Sequence, residues 1–406
     1  MMRHNIYYTA NIVSQTEESR AFGEQTVKLL EKHGNVLTTH VVRPDLKSWE
    51  RENEANGVNI CNRDLAWVND SDVLVMDATW PMTGGGVELV HAAAIRSIPS
   101  LVVSSEGVRI SPMVSQFTHP LVTKRTYQGV ADLEKTIEAY FAELKHDFTR
   151  YDNLVIFDAI DGAGKGAIYA TIKEWGQHKG LRLFDCVEYW KKINHLPNWD
   201  EVNRAVGGCQ LLLTAEPTYE GVGKLIREEI VRKDNPRPWS SFSTAHAFSV
   251  NREALYKLLV KDALDAGALV ASDRSVVTSQ HYQVVQAEIE GYSPDHALCY
   301  VNGLPGNQYA LKHIPGLLIF PKVSVDVTQA RLAARADKID SVGFEARSFQ
   351  EALNAFYQSG RVKDYYRRRG TNVVDFDMAK CPTREDTKFE ASAIFTAYLQ
   401  EKNLKF

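Results

Sequence analysis

The stretch AIDGAGKG at positions 159–166 follows the apolar run LVIF and precedes a helical pattern. A turn of this kind suits phosphate chemistry, because successive backbone N–H groups and a helix N-terminus converge on an anion. Gly162 and Gly164 permit the tight backbone, Asp161 and Ala163 complete the turn, and Lys165 supplies charge to outer phosphates. The pattern G-x-x-x-x-G-K-[ST] is met except at two places. Ala159 stands where the first glycine is usual, and Gly166 stands where a hydroxyl often ligates Mg²⁺. Mg²⁺ keeps several waters and needs few direct protein ligands, so Asp161 and Asp273 with phosphate oxygens would complete its shell. Further along, Phe248 and Arg252 are four apart and share one helix face. By itself Phe248 reads better as core, whereas an arginine is seldom buried unpaired. Asp273 followed by Arg274 ends an apolar run; the aspartate either positions the metal or caps a turn, and the arginine offers a bidentate fork for a phosphate.

The elements that must hold these residues alternate between strand and helix patterns. In the first part, NIYYTANI, NVLTTHVV, DVLVMDAT and SLVVSS read as strands. Between and after them, ESRAFGEQTVKLLEKHG, NRDLAWVNDS, GVELVHAAAIRS and ADLEKTIEAYFAELKHDF read as helices. The alternation then restarts with NLVIFDAI, the helix of GKGAIYATIKEWGQHKG, LLLTAEP, a long helix from SFSTAHAF onward, ALVASDRS and GLLIFPKVSVDV. Alternating β and α predicts mostly parallel sheets with helices on both faces. Two such units are expected, 1–148 and 149–406, joined by the short linker HDFTRYD. The segment from about 185 to 210 reads as an insertion or helical excursion without a functional assignment.

Composition bounds the reading. The 406 residues are 44% hydrophobic and 24% charged, enough for two globular domains. A net charge of −4 gives no footprint for nucleic acid or an anionic membrane. Five scattered cysteines without a C-x-x-C pair favour reduced thiols, and no apolar run reaches a membrane span, so a cytoplasmic setting is expected.

The motifs from residue 153 onward, in order, are FDAIDGAGKG, LTAEPT, FSVNREAL, SDRSVVTSQHYQ and RADKIDSVGFEARSFQEALNAFY. In this order and spacing they resemble thymidylate kinase, across roughly residues 153–400, with Ala215 where arginine is common. The resemblance implies a P-loop nucleoside monophosphate kinase fold, ATP as phosphoryl donor and Mg²⁺. It implies that Phe248 stacks on a pyrimidine, that Asn251 and Arg252 contact it, and that Arg274 holds the acceptor phosphate. Ser279 and Tyr282 would line the sugar and base, and Arg335, Lys338 and Arg347 are lid candidates for charge on the transferring phosphoryl group.

Residues 1–145 carry IYYTANI, GNVLTTHV, NRDLAWVNDSDVLVMDAT and GGGVELVHA. These resemble the nucleoside 2-deoxyribosyltransferase family, most closely its 2′-deoxynucleoside 5′-phosphate N-hydrolase branch, and imply a deoxyribosyltransferase or flavodoxin-like fold. By that resemblance Glu88 is the nucleophile at C1′, Tyr7 orients it, and Asp64 handles the proton of the leaving base. Gly84 and Gly86 would let the sugar approach, Asn11 would meet the substrate, and Ser111 would be lent across a homodimer interface. Two departures stand out: Ala10-Asn11-Ile12-Val13 lacks the branch's phosphate-binding arginine, and Met82 replaces a phosphate-binding serine. The expected function is therefore bifunctional: ATP-dependent phosphorylation of dTMP or a related pyrimidine monophosphate, and N-glycosidic cleavage of a deoxynucleoside monophosphate. The competing reading, motivated by Gly166 and Ala215, is a nucleotide-binding regulatory protein with an inactive kinase domain and a deoxyribosyltransferase acting on nucleosides.

Overall fold

The computed structural model describes residues 4–12, 14–144, 148–232, 238–334, 344, 346–381 and 383–406. The chain divides into two compact units, Met1–Asp147 and Phe148–Phe406. Each is an α/β domain built on a parallel sheet with helices on both faces.

The first unit holds strands β1 His4–Thr9, β2 Gly34–Val36, β3 Val73–Asp77, β4 Ser100–Ser105 and β5 Val122–Tyr127. Their order in the sheet is β2-β1-β3-β4-β5, all parallel and flavodoxin-like. Burial on both faces explains the near-continuous apolar runs. Alternation assigns the faces: Ile6, Tyr8, Val73 and Val75 pack on one side, while Tyr7, Leu74 and Met76 pack on the other. The strand order reverses between β1 and β3, and the crevice at the carboxyl ends of such a pair is where open sheets bind ligands.

NVLTTHVV departs from expectation. The strand stops at Val36, and Thr39–Val42 turn as a short 3₁₀ helix. The buried Thr38 hydroxyl donates to the Tyr8 carbonyl at 2.6 Å and accepts the Tyr8 N–H at 2.9 Å, so a side chain replaces the ladder.

The second unit holds β6 Thr149–Phe157, β7 Leu183–Asp185, β8 Leu211–Ala215, β9 Leu269–Asp273, β10 His313–Lys322 and β11 Asn372–Asp377. They form one parallel sheet in the order β11-β10-β6-β9-β8-β7, the layout of a P-loop kinase-like domain. Leu154, Ile156, Leu212, Val270 and Leu318 face one core, and Val155, Phe157, Leu213, Ala271 and Ile319 the other. The loop after β6 turns through Gly162 at φ +80° and Gly164 at φ +101°, a left-handed backbone that a side chain resists. It opens the helix Lys165–His178. The segment near 185–210 resolves into two short helices, Cys186–Lys192 and Trp199–Ala205, each started by a side-chain cap from Asp185 or Asn198. No described helix is long and apolar enough to cross a membrane.

Candidate functional site

In the first unit the crevice between β1 and β3 gathers three of the expected residues. Tyr7 lies within β1 and is buried. Glu88 lies on the helix Gly84–Val90 that follows β3, and its Oε2 is buried without a protein hydrogen-bond partner. Burial pushes the Glu88 carboxyl above its ordinary range and Asp64 adds to this, while the Thr9 and Tyr7 hydroxyls, acting as donors, pull it back. Burial and the Glu88 and Asp64 charges raise the Tyr7 phenol, which stays protonated and able to donate. Gly84 leaves this carboxylate open, since even a methyl there would stand 3.6 Å from Glu88 Oε1, and space beside Gly86 is empty.

Asp64, on the helix Ile60–Asn69, is not the exposed helical acid that composition alone would allow. Its side chain is only 16% exposed and accepts from Arg63 Nε at 2.9 Å and Nη2 at 2.8 Å. Arg63 forks onto Glu50 as well, at 2.9 and 2.8 Å, and its guanidinium sits over Trp67 and Trp49 at 4.7 and 5.2 Å. Burial raises the Asp64 carboxyl and Arg63 opposes that rise. Arg63 was missed by sequence reasoning, although it is the neighbour of Asp64 in the quoted NRDLAWV; nothing local says that the two side chains would turn toward each other.

Asn11 lies two residues beyond β1, buried, with its Oδ1 accepting the Ser14 N–H and hydroxyl at 3.1 Å each. Ser111 is exposed at the start of the short helix Pro112–Ser115. No hydrogen bond or ion pair among the described residues joins it to Glu88 or Tyr7 of its own chain.

In the second unit the carboxyl ends of β6, β8 and β9 converge on the glycine loop. Lys165 folds back on that loop, donating to the carbonyls of Ala159 at 2.8 Å and Ile160 at 3.0 Å. Burial pulls its ammonium down to about 8, aided by Arg274 and opposed by Asp161, Asp273 and Asp158. Arg274 follows β9 at φ +75°, a strained conformation for a residue with a side chain. It pairs with Asp161, donates to the Tyr282 hydroxyl at 3.3 Å and stacks on that ring at 4.9 Å. Asp273 keeps Oδ1 buried and without a partner. A second arginine joins them. Arg227 is anchored on the carbonyls of Pro217 and Thr218 and on the Tyr219 ring at 3.8 Å, and its charge is felt with those of Arg274, Asp273 and Asp161. Sequence reasoning passed over it, since it belongs to none of the motifs weighed.

This donor set fits a partly hydrated Mg²⁺. Asp273 offers a free oxygen, Asp161 is held by Arg274, and Gly166 opens onto empty space. Among the described residues no three His, Cys, Asp or Glu side chains form a metal cage. A cavity of about 380 Å³ lies against the loop, lined by Gly164, Gly166, Arg331, Met378, Thr383 and Arg384 among others. Arg331 donates to the Gly162 carbonyl at 3.4 Å.

The expected acceptor residues find partners within the protein. Arg252 is fully buried yet paired: Nε donates to Glu216 Oε2 at 2.7 Å, Nη1 to Asn307, and Nη2 to the Ser275 carbonyl and Ser279 hydroxyl at 3.1 Å each. The argument that an arginine here is hard to explain as core therefore fails, because Glu216 of LTAEPT supplies its counter-charge. Asn251 spends its amide on Thr218, accepting the N–H at 3.0 Å and donating to Oγ1 at 2.7 Å. Phe248 packs on Ile226 and Ile230. Tyr282 is buried beside the loop. In contrast, Gln283, closing the quoted SDRSVVTSQHYQ, is 1% exposed with both amide atoms unpartnered. It is four residues from Ser279 and shares its helix face. Of the lid candidates, Arg335 and Lys338 lie outside the described residues, and Arg347 is exposed and paired with Asp326 and Glu351.

No protein-family model matches the chain. It is 32% identical to the 5-hydroxymethyl-dUMP N-hydrolase of Danio rerio over 142 residues, 34% of this chain and 97% of that protein. The protein of that name from Esox lucius is 32% identical over 146 residues, 35% of this chain and 99% of the relative. The thymidylate kinase of Mesoplasma florum is 27% identical over 183 residues, 44% of this chain and 79% of that enzyme. The near-complete matches have the length of the first unit, Met1–Asp147, and by them the chain belongs to the family of the 5-hydroxymethyl-dUMP N-hydrolases, with distant homology to thymidylate-kinase-like proteins beside it.

Proposed function

We propose that the chain is a bifunctional enzyme of deoxynucleotide metabolism. Its first unit cleaves the N-glycosidic bond of a 2′-deoxynucleoside or its 5′-monophosphate. The observation that supports this best is the Glu88 carboxyl, held beside the Tyr7 and Thr9 hydroxyls, with its Oε2 buried and unpartnered. That oxygen forms an ester bond to C1′ as the C1′–N bond breaks, and the bonding electrons leave with the base. Asp64, whose proton affinity burial raises, gives its proton to the departing nitrogen. Water then opens the ester, returning a proton to Asp64 and yielding free base and the deoxyribose product. A homodimer would bring Ser111 of a second copy to this crevice; exposed Val87, Val90 and Met113 offer it an apolar contact.

The second unit transfers the γ-phosphoryl group of ATP to a pyrimidine deoxynucleoside monophosphate such as dTMP. Lys165 and the loop amides hold the donor phosphates, with the cavity against the loop taking the rest of ATP. Arg274 and Arg227 hold the acceptor phosphate in line, releasing Asp161 in exchange. Mg²⁺, bound through Asp273, water and phosphate oxygens, would neutralise charge on the phosphates. Gln283 reads the base edge with its free amide.

Incubation with deoxynucleosides and their monophosphates, with and without ATP and Mg²⁺, tests both activities. Wild type is expected to release base and to make ADP. Glu88→Gln loses base release alone, and Lys165→Ala loses ADP formation alone. Thymidylate binding without ADP over a broad Mg²⁺ range would replace the kinase with the regulatory reading, which the back-folded Lys165 and the missing hydroxyl at Gly166 favour.

A further inference from the structure

Asp64 is held by a guanidinium that it shares with a second carboxylate. Arg63 donates to Asp64 from Nε and Nη2, at 2.9 and 2.8 Å, and both bonds fall on one oxygen, Oδ1. Asp64 Oδ2 takes no hydrogen bond from a described residue and is not sealed from solvent. The other edge of the fork, Nη1 and Nη2, is clamped by the two oxygens of Glu50 at 2.9 and 2.8 Å. Glu50 comes from a different helix, Leu46–Ala55, and Trp49 of that helix and Trp67 of the Asp64 helix both lie against the guanidinium. None of the three charged side chains is more than 16% exposed, so this is not the solvated ion pair that contributes little. His40 completes the cluster, 3.8 Å from Glu50 Oε1 and against both tryptophan rings at 5.1 and 4.9 Å. Burial and the Arg63 charge pull its imidazole down to about 4, so near pH 7 it adds no charge. Arg43, over the Trp49 ring, is paired with Asp45. The Glu88 carboxyl and the Tyr7 phenol both feel the Asp64 charge.

We infer that Arg63 and Glu50 are positioning residues for departure of the base: Arg63 holds Asp64 by Oδ1 so that Oδ2 delivers the proton, and Glu50 fixes and shares the guanidinium. This rests on the N-glycosidic reading of the Glu88 site. In protonated Asp64, Oδ1 is the carbonyl oxygen and accepts from Arg63, while the Oδ2 hydroxyl donates. As the C1′–N bond breaks, its electron pair goes to the base and the Oδ2 proton follows it. The carboxylate left behind rests on a cation already in place, which favours the transfer. A guanidinium devoted to Asp64 alone would hold that carboxyl ionised before substrate arrived. Glu50 opposes this by binding the same cation, and burial acts in the same direction.

The full-length protein, without ATP, is assayed for base release from 2′-deoxyuridine and thymidine 5′-monophosphates. Nitrophenol release is followed from 4-nitrophenyl 2-deoxyribofuranoside 5-phosphate, whose leaving group departs without a proton. General acid catalysis is worth about 10²–10⁴-fold, so Arg63→Gln and Glu50→Gln are each expected to lower kcat for base release by roughly tenfold or more. Nitrophenol release should change by less than about twofold. The alkaline limb of kcat/KM for base release should move to higher pH in Arg63→Gln, which takes the cation from Asp64. It should move to lower pH in Glu50→Gln, which removes the competitor for that cation. Where Arg63→Gln does not fold, Arg63→Lys, which keeps the charge and loses the fork, carries the same comparison of substrates. Equal losses with both kinds of substrate in a folded variant would make the cluster scaffolding and overturn the inference. Limbs that stay in place, or move the same way, would overturn the sharing of Arg63. Wild type releasing neither base nor nitrophenol would overturn the glycosidic reading itself, and the inference with it.

Discussion

Replacing Arg252 with alanine should unfold the second domain far more readily, and the structure says by how much. Arg252 and Glu216 form a buried pair, with side-chain exposures of 0% and 2%, at 2.7 Å. Removing the cation leaves a buried carboxylate without its counter-charge, and also strips a donor from Ser279, Asn307 and the Ser275 carbonyl. Breaking a buried pair from one side costs about 3–5 kcal/mol. For a domain of this size about 2–4 °C is lost per kcal/mol, so the melting temperature of this domain should fall by about 6–20 °C. The sign of the pH effect follows from Glu216. Burial already raises its proton affinity in the folded state despite Arg252. Without the arginine it rises further, so the folded variant binds a proton that the unfolded chain releases, and its deficit should shrink as pH falls from 7 toward 5. The double variant Arg252→Ala/Glu216→Ala should cost less than the sum of the singles, since each single leaves a charge or donor stranded. Chemical denaturation followed by circular dichroism at two pH values reads all of this. A stability change within about 1 kcal/mol, with the whole effect in KM for dTMP, would refute the buried-pair account. It would instead return Arg252 to the base contact that the motif alone suggests.

Lys165, with its ammonium held at about 8 in the ligand-free protein, should lose charge as pH rises from 7 to 9. ATP affinity, followed by calorimetry, should weaken above that point and keep its low-pH value below it; a flat profile would show that this lysine does not meet the phosphates. Gly166→Ser should be tolerated, because a Cβ there meets no atom within 4 Å, and it should lower the Mg²⁺ concentration needed for half-maximal ADP formation. A collapse of activity in that variant would show that the loop needs glycine for its backbone. Gln283→Leu should lose about 1–3 kcal/mol of transition-state binding to dTMP, the cost of an unpaired base edge, and should raise discrimination against no other step. Unchanged kcat/KM across thymidine, cytidine and adenosine deoxynucleotides would exclude Gln283 as a base reader.

Much of this molecule was legible in the chain itself. The β-α alternation and its restart near residue 150 foretold two parallel-sheet domains, because strands buried on both faces must be apolar runs and their crossovers must be helices. The edge strands β5, VTKRTY, and β11, NVVDFD, escaped notice for the converse reason: partly solvated, they carry no apolar run. The glycine loop was legible because its backbone demands are local, and Gly162 and Gly164 do adopt positive φ. What sequence spacing did not decide was the partner of each polar side chain. Glu216 and Arg252 are 36 residues apart, and only the meeting of the residue that follows β8 with the helix Ser241–Leu255 turns the one apparent ligand residue, Arg252, into half of an internal pair. Arg63 and Asp64 are adjacent, yet their meeting depends on Glu50 and two tryptophans arriving from elsewhere or along the helix. The unused groups, Glu88 Oε2, Asn11 Nδ2, Asp273 Oδ1 and the Gln283 amide, became visible only once every neighbour had been placed. Periodicity reports which face of an element is buried. Whether a polar atom on that face is satisfied is a property of contacts between distant segments, and only the tertiary structure holds them.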